Sequence, residues 1–115
     1  MKNKWMTTKE TGQLYFERTL VMTTRPFVFI CKNDEEKKYL CMELDYSIFE
    51  YAIAEVTDKM LDDMIHDKVS MEDTLRHCVG GQLVATIQEN DIIRSITKDA
   101  NEIIDKAALE EKIFY

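Results

Sequence analysis

The spacing of apolar side chains changes along the chain, and each change marks a new element. Residues 1 to 13 show no sustained period and read as a polar lead-in, with Trp5 as the one large apolar group expected to dock on the body. From Leu14 to Met22, Tyr15, Glu17, Thr19 and Val21 alternate with Leu14, Phe16, Leu20 and Met22, which is the period of a strand. Thr23, Thr24, Arg25 and Pro26 interrupt it, because proline lacks the N–H that a ladder needs and holds its predecessor extended. Phe27 to Lys32 is rich in aromatic and β-branched residues and predicts a second strand, with a turn at Asn33-Asp34-Glu35-Glu36. Lys37 to Asp45 sets Tyr39, Cys41 and Glu43 against Leu40, Met42 and Leu44, and Ile48 to Val56 is a further extended run. Short connections between these runs predict an antiparallel meander of four strands.

The period then lengthens. Thr57 can cap a helix in which Met60, Leu61, Met64 and Ile65 form one stripe, leaving Asp58, Asp62, Asp63 and Asp67 to face water. Ser70, with Asp73 three residues on, opens a second short helix whose inward face is Met71, Thr74, Leu75 and Cys78, and Gly80-Gly81 ends it. Gln82 to Ile87 alternates again, whereas Asp91 to Lys98 fits a strand or a helix equally. Asp99 and Glu102 open a last helix lined by Ile103, Ile104, Ala107 and Ala108. The expected fold class is therefore α+β: an antiparallel β-meander packed against short amphipathic helices. Residues 1–13 are the lead-in and residues 14–115 a single α+β domain. Its expected core is Leu20, Phe27, Phe29, Leu40, Met42, Met60, Leu61, Ile65, Leu75, Leu83 and Ile87.

The order of features from Leu20 to Leu75 resembles a family of small bacterial and bacteriophage proteins. The resemblance rests on a unit of two short helices with Leu61, Met64, Val69, Ser70, Asp73 and Leu75 at its recurrent positions, and it covers about half the chain. The family usually has glycine in the hairpin turn, where this chain has Asp34-Glu35-Glu36. The resemblance implies an α+β fold and brings no agreed activity, so no functional residue carries over.

Composition narrows the classes. The chain has 115 residues, 45% hydrophobic and 32% charged, with one proline and three glycines, which suits one ordinary core without linkers. Its longest apolar run, Phe27 to Cys31, is strand-sized and far below the ~18 residues of a membrane span. Lys2 and Lys4 are followed by no apolar stretch, so a secretory signal is not expected and the cytoplasm is the expected compartment. Cys31, Cys41 and Cys78, odd in number and widely spaced, read as buried reduced thiols.

Charge is unevenly spread. Residues 1 to 32 hold six Lys or Arg against Glu10 and Glu17, net +4, while residues 33 to 115 hold nine against twenty acids, net −11, giving −7 in all. An acidic body repels a phosphate backbone, so direct nucleic-acid binding is disfavoured and a basic protein partner favoured.

Candidate chemistry is sparse. His66, His77 and Cys78, with Glu72 or Asp73, are the one cluster that suggests a metal, but adjacent helical residues point about 100° apart and no CxxC, HxxxH or HExxH is present. There is no GxSxG elbow and no phosphate loop around Gly80-Gly81. Asp62-Asp63 and Glu110-Glu111 are paired carboxylates that read as solvated faces, and Tyr15, Phe16, Phe27, Phe29 and Tyr39 read as core rather than a base-stacking sheet. No cofactor is implied.

Two readings follow. The first, which makes the chain no enzyme, is a small acidic protein-binding module that inhibits a basic, nucleic-acid-handling partner, as phage anti-defence and immunity-type proteins do. Asp58, Asp62, Asp63 and Asp67 are its expected contacts, and no membrane is involved. The alternative is a small enzyme with a dispersed carboxylate or Cys/His site. A pocket gathering His66, His77 or Cys78 beside an acid would favour the enzyme, and a broad acidic patch the binding module.

Overall fold

Seven extended segments follow one another with few interruptions, and each pairs antiparallel with the next. The computed structural model describes residues 3–22, 26–45, 47, 49–88 and 91–97. Its strands are β1 (Asn3–Thr8), β2 (Gly12–Met22), β3 (Pro26–Lys32), β4 (Lys38–Asp45), β5 (Glu50–Val56), β6 (Val79–Gln88) and β7 (Asp91–Thr97), and they lie in one sheet in sequence order. Two short helices, α1 (Asp58–Ile65) and α2 (Met71–Arg76), form the connection from β5 to β6. The architecture is thus a mostly antiparallel half-barrel with few and short helices, more strand-rich than the expected meander of four strands. The helix expected from Asp99 lies outside the described residues.

The curl of the sheet follows from one contact. Trp5 on β1 meets Tyr51 on β5 edge to face, with ring centroids 5.2 Å apart, although three strands separate them in the sheet. In a flat sheet, four strand spacings would hold those two positions roughly 19 Å apart. The sheet therefore closes around the face that carries Trp5, Phe29 and Tyr51, where Leu14, Cys31, Tyr39, Cys41, Ile53 and Leu83 are also buried. The opposite face carries Val28, Ile30, Leu40, Met42, Ala52 and Ala54, and it is covered by Leu61 and Met64 of α1 and Met71 and Leu75 of α2.

Strand β4 shows what this sandwiching requires. Tyr39 and Cys41 point into the concave cluster, Leu40 and Met42 into the helix-side cluster, and all four are buried. A strand covered on both faces can place apolar groups at consecutive positions without breaking its period of two.

Three expectations need correction. Residues 3–8 are not a lead-in but an edge strand, which pairs with β2 around the turn that ends at Gly12. The alternation expected for Leu14 to Met22 does not survive, because register shifts interrupt β2. Leu14 and Phe16 turn to the concave cluster, the consecutive Leu20 and Val21 both reach the helix-side cluster, and Met22 is exposed. Gly80 and Gly81 do not stop α2, which closes at His77; they begin β6, where Gly80 has φ +73. No atom lies within 4 Å of where a Gly80 Cβ would sit, so the left-handed backbone alone calls for glycine there.

A buried polar network joins two turns at one end of the concave face. The Asn33 amide donates to the Thr11 carbonyl at 3.0 Å, and its oxygen accepts from the N–H groups of Glu35 and Lys37, each at 3.0 Å. Thr11 and Thr8 exchange a hydroxyl bond of 2.8 Å. All three side chains belong to buried residues, and this pairing offsets the desolvation of their polar atoms.

Candidate functional site

The acidic helices begin with well-made caps. Thr57 is extended (φ −89, ψ 163), and its hydroxyl accepts the Met60 N–H at 3.2 Å, satisfying one of the unpaired donors at the start of α1. Asp58 in the first turn complements the helix dipole. At the other end the Asp67 N–H bonds the Met64 carbonyl at 3.2 Å, and the Lys68 N–H bonds the Asp63 carbonyl at 2.8 Å. This pair of bonds is a Schellman closure, and Asp67, at φ 59, occupies the left-handed position usually given to glycine. Three residues later Ser70 caps α2, its hydroxyl accepting the Asp73 N–H at 3.1 Å. The tight link from Asp67 to Ser70 places α2 beside α1.

Asp58, Asp62, Asp63 and Asp67 do not form a single stripe. Asp62 and Asp63 are neighbours on a helix and so diverge by about 100°. Asp62 is exposed and pairs with His66, Nδ1 to Oδ1, at 3.2 Å. Asp63 turns toward α2, keeps only 20% of its side chain exposed, and pairs with Lys59 at 2.9 Å. That hydrogen bond, reinforced by the charges of Lys59, Lys68 and His66, holds its carboxyl below the usual range against a smaller opposing effect of burial. Asp58 is exposed at the N-terminal end, and Asp67 lies beyond the last helical turn.

A groove opens between the helices, about 270 Å³ in volume, lined by Met60, Asp63, Val69, Asp73, Thr74 and His77. Of the four expected contacts it takes in Asp63 alone, and it adds Asp73 and His77 from α2. Asp73 pairs with Arg76 at 3.2 Å, and the Thr74 hydroxyl donates to the Ser70 carbonyl at 2.9 Å. The sequence marks Asp73 as a capping residue and places His77 in a cluster whose spacing does not suit a metal, and nothing in that spacing shows that the two line a groove with Asp63. Their approach depends on the interhelical turn.

The histidines are turned along their own helices. Nδ1 of His77 lies 2.8 Å from the Asp73 carbonyl and Nδ1 of His66 2.8 Å from the Asp62 carbonyl, and a carbonyl only accepts, so each Nδ1 donates. Among the described residues no three His, Cys, Asp or Glu side chains are placed to hold a metal ion. The Cys78 thiol is half-buried and donates to the Gly80 carbonyl at 3.5 Å, while Cys31 and Cys41 are fully buried. Burial, with Cys31 alongside, pushes the Cys41 thiol well up.

A smaller cavity of about 140 Å³ lies at the edge of the concave face, lined among others by Glu10, Tyr39, Ile53, Glu55 and Leu83. Burial, followed by the charges of Glu55 and Glu35, raises the Tyr39 phenol.

No family model matches the chain, and no curated protein or solved structure matches it either. No helix among the described residues is long and apolar enough to cross a membrane.

Proposed function

We propose that the protein is an acidic binding module whose helical face captures a basic, nucleic-acid-handling protein and inhibits it. The supporting observation is the placement of charge: residues 57 to 78 carry six acids (Asp58, Asp62, Asp63, Asp67, Glu72, Asp73) against three bases (Lys59, Lys68, Arg76). Five of these acids sit on two helices, with Asp67 on the turn between them, laid against the sheet face opposite the aromatic concave cluster, so the charge is displayed away from the rings. A field of that sign steers a basic surface into contact and sets the association rate more than the final affinity. Bacteriophage anti-defence or bacterial immunity would be a natural setting for such an inhibitor.

The experiment is capture from a lysate at low and high salt with the wild-type protein and Asp62→Lys. Asp62 is the clean position because it is exposed and off the groove, whereas Asp63→Lys would set a lysine beside Lys59. Capture of a basic protein that weakens with salt and with Asp62→Lys supports the reading, and capture indifferent to both contradicts it.

A second reading is favoured by His77. Nδ1 donation to Asp73 leaves the Nε2 lone pair of a neutral imidazole available as a proton acceptor in a groove that also holds two carboxylates. Against it, the one hydroxyl lining the groove, Thr74, is committed to the Ser70 carbonyl. His77→Ala separates the two readings, since a binding module keeps its salt-dependent capture in that variant.

A further inference from the structure

We infer that the groove between α1 and α2 is a receptor for one arginine side chain, presented by the basic partner; this rests on the binding reading above and names the contact that gives it specificity. The groove has an apolar lining in Met60 and Val69 and carboxylates on two walls, Asp63 from α1 and Asp73 from α2. Ionised carboxylates only accept hydrogen bonds, so the complementary guest is a donor carrying positive charge. With the Thr74 O–H donated to Ser70, no hydroxyl donor remains for a guest that needs to accept, so the groove matches a guest rich in donors. A volume of about 270 Å³ falls just below the range of drug-sized ligand pockets and suits a single extended side chain.

Arginine fits better than lysine. Its planar guanidinium presents five donors in a fixed fork and is more weakly hydrated than an ammonium, so less is lost over an apolar floor. Two internal cations hold the places meanwhile: Lys59 on Asp63 at 2.9 Å and Arg76 on Asp73 at 3.2 Å. Both pairs span a single helical turn, and Lys59 is 83% exposed, so these contacts are weak and exchangeable. An incoming arginine takes over the carboxylates, and Lys59 swings into water. Removing Lys59 should therefore tighten binding, by more than the change in net charge alone would.

The test uses protein labelled with ¹³C at methyl groups, titrated with N-acetyl-arginine amide, N-acetyl-lysine amide and the neutral isostere N-acetyl-citrulline amide. The expected result is a saturable shift of the Met60, Val69 and Thr74 methyls with arginine, at least threefold weaker binding of lysine, and no response to citrulline. Lys59→Gln should bind arginine several-fold tighter, Asp63→Asn several-fold weaker, and Lys37→Gln, an exposed change of equal charge on the β3–β4 turn, like wild type. Lys59 is exposed, so Lys59→Gln keeps its fold even if Asp63→Asn does not.

Equal response to arginine and citrulline overturns the inference, as does lysine binding at least as well as arginine. Unsaturable shifts that Lys59→Gln and Lys37→Gln alter alike also overturn it, because they reveal only an ion atmosphere. Arginine saturating the groove of a protein that captures no basic partner supports the receptor and sinks the function; salt-dependent capture with silent groove methyls does the reverse.

Discussion

Asp67 shows how one residue can hold both a structural and an electrostatic place. At φ 59 it closes α1 in a conformation that costs an ordinary side chain about 1 kcal/mol relative to glycine, and aspartate tolerates it better than most. Asp67→Gly should raise the stability toward urea by up to about 1 kcal/mol while removing one acid, and a loss of stability would mean that the carboxylate itself supports the turn. Asp63 makes a prediction about pH. Its folded carboxyl titrates below its ordinary value, so the Lys59 pair stabilises the fold at pH values above the ordinary carboxylate range. That contribution is lost as the pH falls through the lowered value. Melting temperatures taken down the acid range should therefore fall less steeply in Lys59→Gln than in wild type, and parallel curves would show that the pair contributes nothing.

At the scale of elements, β4, α1 and α2 were legible in the sequence, β2 was legible as a strand though not in its faces, and β1 was not legible. Both faces of β4, and the caps Thr57 and Ser70, lie where spacing and capping chemistry put them, because each depends on groups within a few residues. β1 was hidden because its inward groups follow no single period: the consecutive Trp5 and Met6 both reach the concave cluster, and the next buried residue is the polar Thr8, whose hydroxyl is satisfied by Thr11 across the turn. β2 was misread because its bulges reset the alternation, which no local rule foresees. Ile92, Ile93 and Ile96 suit either period, and the unbroken ladder from Gln82↔Thr97 to Gln88↔Asp91 makes the segment a strand. The acidic groove escaped notice for a related reason, since Asp63 and Asp73 meet only after the Asp67–Ser70 turn has folded. Phe29 tests the concave cluster: it is 3% exposed and contacts the rings of Trp5, Phe16 and Tyr51. Phe29→Ala should cost about 3 to 5 kcal/mol in denaturant unfolding, and a loss below about 1 kcal/mol would place the ring outside the core.

For the whole molecule, the half-barrel separates two surfaces of different character. The curl buries aromatic rings and two thiols on one side, and the helices cover the other side while presenting carboxylates outward. Native-state alkylation should report this directly, with Cys78 labelled well before Cys31 and Cys41, which react only when the sheet opens. Under the proposed function, the acidic helical face captures a basic protein by electrostatic steering. The most direct test is the association rate of the captured partner with wild type and with Asp62→Lys, each at low and high ionic strength. Electrostatic steering predicts several-fold slower association for Asp62→Lys at low salt, convergence of the two rates at high salt, and unchanged thermal stability. Equal rates at both salt concentrations would contradict it.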